Sequence, residues 1–496
     1  MLQPSRGRRE EATRRSLTGW VVGFGCSVLA DQVFFLSLAW AAVQLDVPGL
    51  VGLVLTAGAL PRLLVLLLGA GLADTRSPKR IIIGTDSGRA LIMAAAAAVL
   101  LTGSMSAWAL AIVAVLVGTL DGFFLPAVGA LPVRVAPPHL IGRVAALRTV
   151  TQRVGLLAGG PVAGWLIDLF GPSAAFFGSA LLFALSVGSL ALVTLTPLRS
   201  RDQPAKRHGE AGESRRVHQR RVGVLTRTRL EATRGFGILR DRPVLAGLLL
   251  LIGGMNFGFS GPFTAGIPLL AAAKGWGAGG AGLLIGVFGV GAAISGLGLL
   301  LRKRVPGAGL VQLAALVSMA VAITVVGVVP SLPVALAGGL VLGLSSGVFG
   351  TLAYALLLEA TPPTEVGRVM ALLSLTLESS AALSFLATGF LAPSLGTSAT
   401  FLLGGLTIAA ATLTAAARPQ LRRLQMNPVE AEREQPSARP HHPPPRSELP
   451  AARPALASAA SPRFPRVGPA LGSTSVPAAA RPGHSRPRPS RRSRWT

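Results

Sequence analysis

Stretches of about 20 apolar residues, the length that crosses a bilayer core, recur along most of the chain. Short polar or Gly/Pro-containing breaks delimit twelve of them. In the first half they run over 17–43, 49–72, 81–103, 107–132, 144–169 and 173–196; in the second, over 244–269, 277–301, 308–329, 333–358, 367–391 and 397–416. So many long apolar helices cannot all be buried in one soluble domain, and the pattern predicts an all-α membrane protein. The expected organisation is a cytoplasmic N-terminus at 1–16, a six-helix bundle at 17–196, a cytoplasmic basic linker at 197–243, a second six-helix bundle at 244–417 and a disordered Pro/Arg-rich tail at 418–496. The linker reads either with a surface helix over 222–240 or as plain disorder. The tail is too poor in apolar residues to bury a core.

The chain repeats itself. "APPHLIGRVAAL" at 136–147 returns as "TPPTEVGRVMAL" at 361–372, an offset of 225 residues (362 − 137). Gly164, Gly171 and Phe176 return in the same register as Gly389, Gly396 and Phe401. A fixed long-period echo marks a duplicated unit. The offset covers six spans, an even number, so each copy starts on the same side of the membrane. The prediction is two parallel repeats related by an axis along the membrane normal. Pro-Pro stops the preceding helix in each copy, and Gly-Arg opens the next.

Charge fixes an orientation. Of the 496 residues, 51% are hydrophobic and 14% charged, against roughly 25% charged in soluble proteins. The net charge of +27 would suggest nucleic acid on a soluble chain. Here the basic residues crowd the N-terminus (Arg6, Arg8, Arg9, Arg14, Arg15), the 73–80 loop, the 197–243 linker and Arg302, Lys303 and Arg304. The alternate connections near 44–48, 104–107, 329–333 and 393–397 carry neither Lys nor Arg, and only Lys274 breaks the alternation. The distribution follows the positive-inside rule and places both termini in the cytoplasm of a cell-membrane protein, with no role for nucleic acid. The one cysteine, Cys26, cannot form a disulfide within the chain. All six histidines lie in hydrophilic segments, and no metalloprotease, P-loop or nucleophile-elbow motif occurs, so no catalytic residue, metal or cofactor is expected.

The stretch "GAGLADTRSPKRIIIGTDSGR" at 69–89 resembles the loop between spans 2 and 3 of the major facilitator superfamily. Its matching residues are Gly69, Gly71, Asp74, Arg76, Lys79 and Arg80. Asp31 in "SVLADQVFFLSLAW", Pro61–Leu64, Asp86, Arg89 and "FFLPAVGALPVRVAPP" are similar to the exporter subgroup that includes enterobactin and macrolide efflux proteins. Gly160, Pro161 and Gly164 match part of a span-5 motif, with Trp165 in place of a second glycine. Span 4 carries Asp121 where many proton-coupled drug antiporters of the family carry Arg. The resemblance implies a twelve-helix transporter working by alternating access. It also implies that Asp74 locks against the start of span 11, near Gly367.

Charged residues inside the spans are expensive and mark candidate function. They are Asp31, Arg62, Asp86, Arg89, Asp121, Arg148, Arg153 and Glu378. At about 1.5 Å per residue, Arg62 lies roughly 15 Å from the cytoplasmic end of its span, Asp121 and Glu378 roughly 18 Å, and Asp31 roughly 21 Å. Those depths allow pairing, with a structural ion-pair network and a proton site as the two readings. Gly155, Gly159, Gly160 and Gly164 are expected to share, or nearly share, one face of span 5. Phe34, Phe35, Phe123, Phe124, Asn256, Phe259 and Tyr354 are the expected cavity lining. The repeat maps Glu359 onto Arg134 and Glu378 onto Arg153; the resemblance implies that the cytoplasmic ends of spans 4 and 10 approach each other, so Arg134 and Glu359 are read either as an inner gate or as two residues that each snorkel to the headgroups. The function expected is secondary active, proton-coupled efflux of amphipathic small molecules by a monomer. An uptake permease, a non-transporting sensor or scaffold and a membrane-embedded enzyme are the rivals.

Overall fold

A computed structural model describes residues 6–47, 49–69, 77–103, 105–131, 141–193, 240, 242–300, 305, 307–362 and 364–422. All of them fall within one compact unit, Met1–Ala431. Among the described residues every regular element is a helix. The first half gives α1 (Arg6–Gln44), α2 (Leu50–Gly69), α3 (Pro78–Leu101), α4 (Ala107–Ala130), α5 (Ile141–Phe170) and α6 (Pro172–Ala191). The second gives α7 (Pro243–Ala273), α8 (Gly277–Leu300), α9 (Ala308–Val328), α10 (Leu332–Glu359), α11 (Val366–Leu395) and α12 (Thr397–Ala416), followed by the short α13 (Pro419–Arg422). Eleven of these helices are long and apolar enough to cross a bilayer, and the described apolar part of α2, Leu50–Leu66, is shorter.

The helices are apolar on every side, as lipid requires. Leu91, Trp108, Leu192, Phe390 and Leu413 are all more than 60% exposed. With lipid outside, these residues need no protein cover. Helix ends follow local chemistry. Ser106 caps α4, its hydroxyl accepting from the Ala109 amide at 3.2 Å. Gly142 and Arg143 lie in the first turn of α5, where the repeated phrase predicts a helix start. The Lys79 amine at the start of α3 donates to the Ala191 and Val193 carbonyls at the end of α6, at 2.9 and 2.5 Å.

Two departures stand out. Helix α1 begins at Arg6, so part of the segment assigned to a cytoplasmic N-terminus continues the first helix; its apolar span is Ser16–Gln44. The seventh span runs past 269 to Ala273, through a π-helical turn at Pro262–Gly266. Pro262 and Pro268 have no N–H to give the carbonyls four residues back, and the wider turn absorbs the loss. Lys274 also has a physical account. Its amine donates to the Gly327 and Val329 carbonyls at the end of α9, at 2.9 and 2.5 Å, so its charge is held by a helix terminus.

The repeat is visible in the backbone. Gly171 and Gly396, 225 residues apart, turn the chain between α5 and α6 and between α11 and α12 with φ of +82° and +87°. Left-handed values of that size favour glycine. Phe176 and Phe401 are both buried. Gly164 and Gly389 each bring their helix against the backbone of the other half. A Cβ on Gly164 would lie 3.0 Å from the Gly279 Cα of α8, and one on Gly389 would lie 2.6 Å from the Gly52 Cα of α2. These contacts sit toward the end of the bundle whose connections carry no Lys or Arg except Lys274, here called the neutral end. Close approach of small residues is the usual way helices associate in lipid. The span-5 glycines do not share a single face, however. Gly155 and Gly159 meet Val28 and Gln32 of α1, whereas Gly160 and Gly164 meet α8.

Candidate functional site: a cavity and a charge chain between the halves

A cavity of about 240 Å³ lies between the two halves, walled by α1, α2, α4, α7, α8 and α11. Phe34, Phe35, Phe263 and Phe385 supply its aromatic surface, and Gln32, Arg62, Asp121, Thr264 and Glu378 its polar groups. The π turn of α7 places Phe263 and Thr264 on this wall.

Charged side chains run from this wall into the first half. Arg62 of α2 pairs with Glu378 of α11, joining the halves, and lies 4.0 Å from Asp121 of α4. Arg89 of α3 is fully buried and shared among three carboxylates: Asp121 at 2.5 Å, Asp86 at 3.2 Å and Asp31 at 3.7 Å. Its guanidinium stacks over Phe124, 4.2 Å from the ring centroid, with Phe183 at 5.4 Å. A planar, delocalised cation tolerates that aromatic burial better than an ammonium would.

The group therefore holds four carboxyls against two guanidiniums. The surplus is not spread evenly. Asp86 accepts from the Ser186 hydroxyl at 2.7 Å, the Ser27 hydroxyl at 3.3 Å and Arg89 at 3.2 Å. Glu378 has Arg62. Asp121 has Arg89 at 2.5 Å and Arg62 at 4.0 Å, whereas Asp31 has only Arg89 at 3.7 Å, and its Oδ1 has no hydrogen-bond partner among the described residues. A buried carboxylate short of partners is costly unless it gains a proton or another cation.

The sequence expectations fare differently residue by residue. Asp31, Arg62, Asp86, Arg89, Asp121 and Glu378 come together, but Asp31 does not line the cavity and sits behind Arg89. Arg153 is half-buried and makes no ion pair among the described residues, and Arg148 lies 5.9 Å from the Phe24 ring. Of the seven lining candidates, Phe34 and Phe35 are on the wall. Phe123 is half-exposed elsewhere and Phe124 is buried beneath Arg89. Phe259 stacks with Phe263 and Phe288 in the core of the second half. Asn256 is spent on packing, its amide donating to the Leu377 carbonyl and the Ser380 hydroxyl of α11, both at 2.8 Å. Tyr354 is 52% exposed toward the end of α10. Gly71, Asp74, Arg76 and Arg134 lie outside the described residues, so the Asp74 lock and the Arg134–Glu359 gate do too; Gly69 ends α2, Arg80 lies in the first turn of α3, and Glu359 is exposed at the end of α10. Sequence reasoning missed Ser27 and Ser186, the partners of Asp86, and Gln32 and Phe385 on the wall. Single serines and phenylalanines in apolar spans carry no signal of their own.

Comparison with known proteins agrees with the architecture. No curated protein matches the chain in sequence. Among solved structures, the nucleoside transporter NupG is 13% identical with a TM-score of 0.61, the match covering 81% of this chain and 99% of that one. The E. coli xylose transporter XylE in its inward-open conformation is 14% identical, with a TM-score of 0.57 over 82% and 95% of the two chains. The human organic anion transporter MFSD10 is 17% identical, with a TM-score of 0.54 over 83% and 99%. At such identities the likeness shows the fold alone. The family model described as Major Facilitator Superfamily matches residues 20–329 and 302–464. Matched over most of its length by that model, this multi-pass membrane protein belongs to the Major Facilitator Superfamily of transporters.

Proposed function

We propose that the protein is a proton-driven exporter of compact amphipathic molecules, working as a monomer in the cell membrane with both termini in the cytoplasm. One observation carries the reading: Asp121 stands at the wall of a cavity between the two halves, and behind it Asp31 has only Arg89, at 3.7 Å, in a group of four carboxyls and two guanidiniums. A proton on either relieves the charge imbalance. A mobile cation-bearing or polar substrate at Asp121 competes for the same relief, which is the coupling an exchanger needs. Arg62, paired to Glu378 across the halves, ties the charge state of Asp121 to the contact between them. The cavity, at about 240 Å³, is smaller than the roughly 300–1,000 Å³ typical of drug-sized sites. That favours compact substrates over macrolide- or siderophore-sized ones in this conformation. The loop lock at Asp74 and the Arg134–Glu359 gate belong to the same reading, acting at the basic end.

Uptake by the same fold is the second reading, favoured by the likeness of fold to a D-xylose-proton symporter. Everted membrane vesicles separate the two. Under an imposed proton gradient, a panel of fluorescent cationic and neutral amphipaths should accumulate in vesicles containing the protein. Asp31→Asn should remove the dependence on the gradient while leaving the protein inserted. Gradient-driven accumulation only in right-side-out vesicles would establish uptake instead. Full transport by Asp31→Asn with an unchanged pH profile would remove Asp31 from the mechanism.

A further inference from the structure

Helix α8 begins without a cap of its own. The residues from Lys274 to Ala281 include no Ser, Thr, Asp or Asn, and Gly277, at φ +70°, turns directly into the helix. The first amides of a helix have no partner within it and carry the positive end of its dipole. The partner comes from the other half of the molecule. Asp168, near the neutral end of α5, accepts from the Ala278 amide at 3.0 Å through Oδ1 and from the Gly279 amide at 2.8 Å through Oδ2. The carboxylate thus caps, across the interface, a helix 110 residues away in sequence. The packing around it has no slack. A Cβ on Gly160 would lie 2.9 Å from the Gly282 carbonyl oxygen, and one on Gly289 would lie 2.7 Å from the Leu157 Cα.

We propose that Asp168 is the latch that holds the neutral end closed, a positioning residue in the transport cycle. The proposal rests on the alternating-access reading above. Opening toward the neutral end pulls α5 from α8, and the two amide bonds to Asp168 must break when it does. The carboxylate is solvent-exposed and the amides lie at a helix end, so both groups find water once parted and the latch can reclose. The strength is suited to a cycle: a carboxylate cap at a helix N-terminus contributes about 1 kcal/mol, a bias toward the closed state of about fivefold. The site also explains why α8 starts with Gly-Ala-Gly-Gly. A side chain at Gly279 would occupy the place of the Asp168 carboxylate.

The test uses the full chain in lipid nanodiscs, with Cys26→Ser and spin labels at Val47→Cys and Val334→Cys. Both positions are exposed at the neutral end, one in each half. Pulsed dipolar spectroscopy, with no substrate present, reads the populations of closed and open distances. Asp168→Ala should raise the open-to-closed ratio about fivefold. Asp168→Glu should fall between Asp168→Ala and the parent. Gly279→Ala, which displaces the carboxylate from the opposite side, should match Asp168→Ala. Two distances in the parent, with an unchanged ratio in well-folded Asp168→Ala and Gly279→Ala, would overturn the latch while leaving alternating access standing. One unchanging distance in the parent and every variant would overturn both.

Discussion

The charged residues divide into those that hold the first half together and those free to change state. Arg89 is fully buried, wedged against Phe124, and serves three carboxylates. Replacing it with an apolar residue of similar length strands those carboxylates in the low-dielectric interior. Arg89→Met is therefore expected to cost about 3–5 kcal/mol, read as a large fall in the thermal unfolding temperature of the detergent-purified protein. Asp31 has only the 3.7 Å contact to Arg89, so neutralising it relieves a poorly compensated buried charge, and Asp31→Asn should not lower the unfolding temperature. The same melting experiment checks both, and a comparable loss for Asp31→Asn would make it structural. Only the residue types and their depths were legible in the sequence. That Arg89 sits between Asp86 and Asp121, and that Arg153 stands apart, depends on which way each helix is rotated.

Among the elements, glycine placement decides which helices can meet. Gly160 and Gly389 face the backbone of the opposite half, whereas nothing lies within 4 Å of a Cβ at Gly188. A backbone cannot yield as the end of a side chain can. Gly389→Val is expected to keep α2 and α11 apart and to abolish transport, with Gly160→Val acting similarly at α5 and α8. Gly188→Ala should be silent in both insertion and transport. Disulfide cross-linking of cysteines placed across the α2–α11 contact measures the separation directly, and normal cross-linking in Gly389→Val would show that the contact tolerates bulk. The glycine runs in α5 and α8 are conspicuous in the sequence, but the division of the α5 glycines between α1 and α8 is not. Gly159 and Gly160 are adjacent, and a step of one residue, about 100°, is enough to face a different neighbour.

At the scale of the whole molecule, charge asymmetry predicts sidedness. In a Cys26→Ser background on intact cells, a membrane-impermeant thiol reagent should label Val47→Cys at the neutral end and leave Gln420→Cys untouched until the cells are opened. Labelling in the reverse order would invert the topology. The proposed gate is tested by charge exchange: Arg134→Glu and Glu359→Arg should each impair transport, and the double exchange should restore it. A double variant no better than the worse single one would dispose of the gate.

By itself, the sequence determined the spans, their helical state, the duplication and the distribution of charge between the two ends. Lipid explains why: with no water to satisfy backbone amides, an apolar segment of sufficient length must be helical whatever its neighbours are. The 225-residue echo carries the rest, and Gly171 and Gly396 turn the chain alike in both copies. Only the tertiary structure decided which faces meet. In a soluble helix the apolar stripe names the buried side, but here residues facing lipid and residues facing protein are equally apolar. The cavity and its charges are assembled from partners as far apart as Arg62 and Glu378, 316 residues along the chain. Asp168 likewise finds its partners on a helix of the other half. No local pattern records such a meeting, because it is fixed by close backbone approach at a few glycines and by the high cost of leaving a buried charge alone.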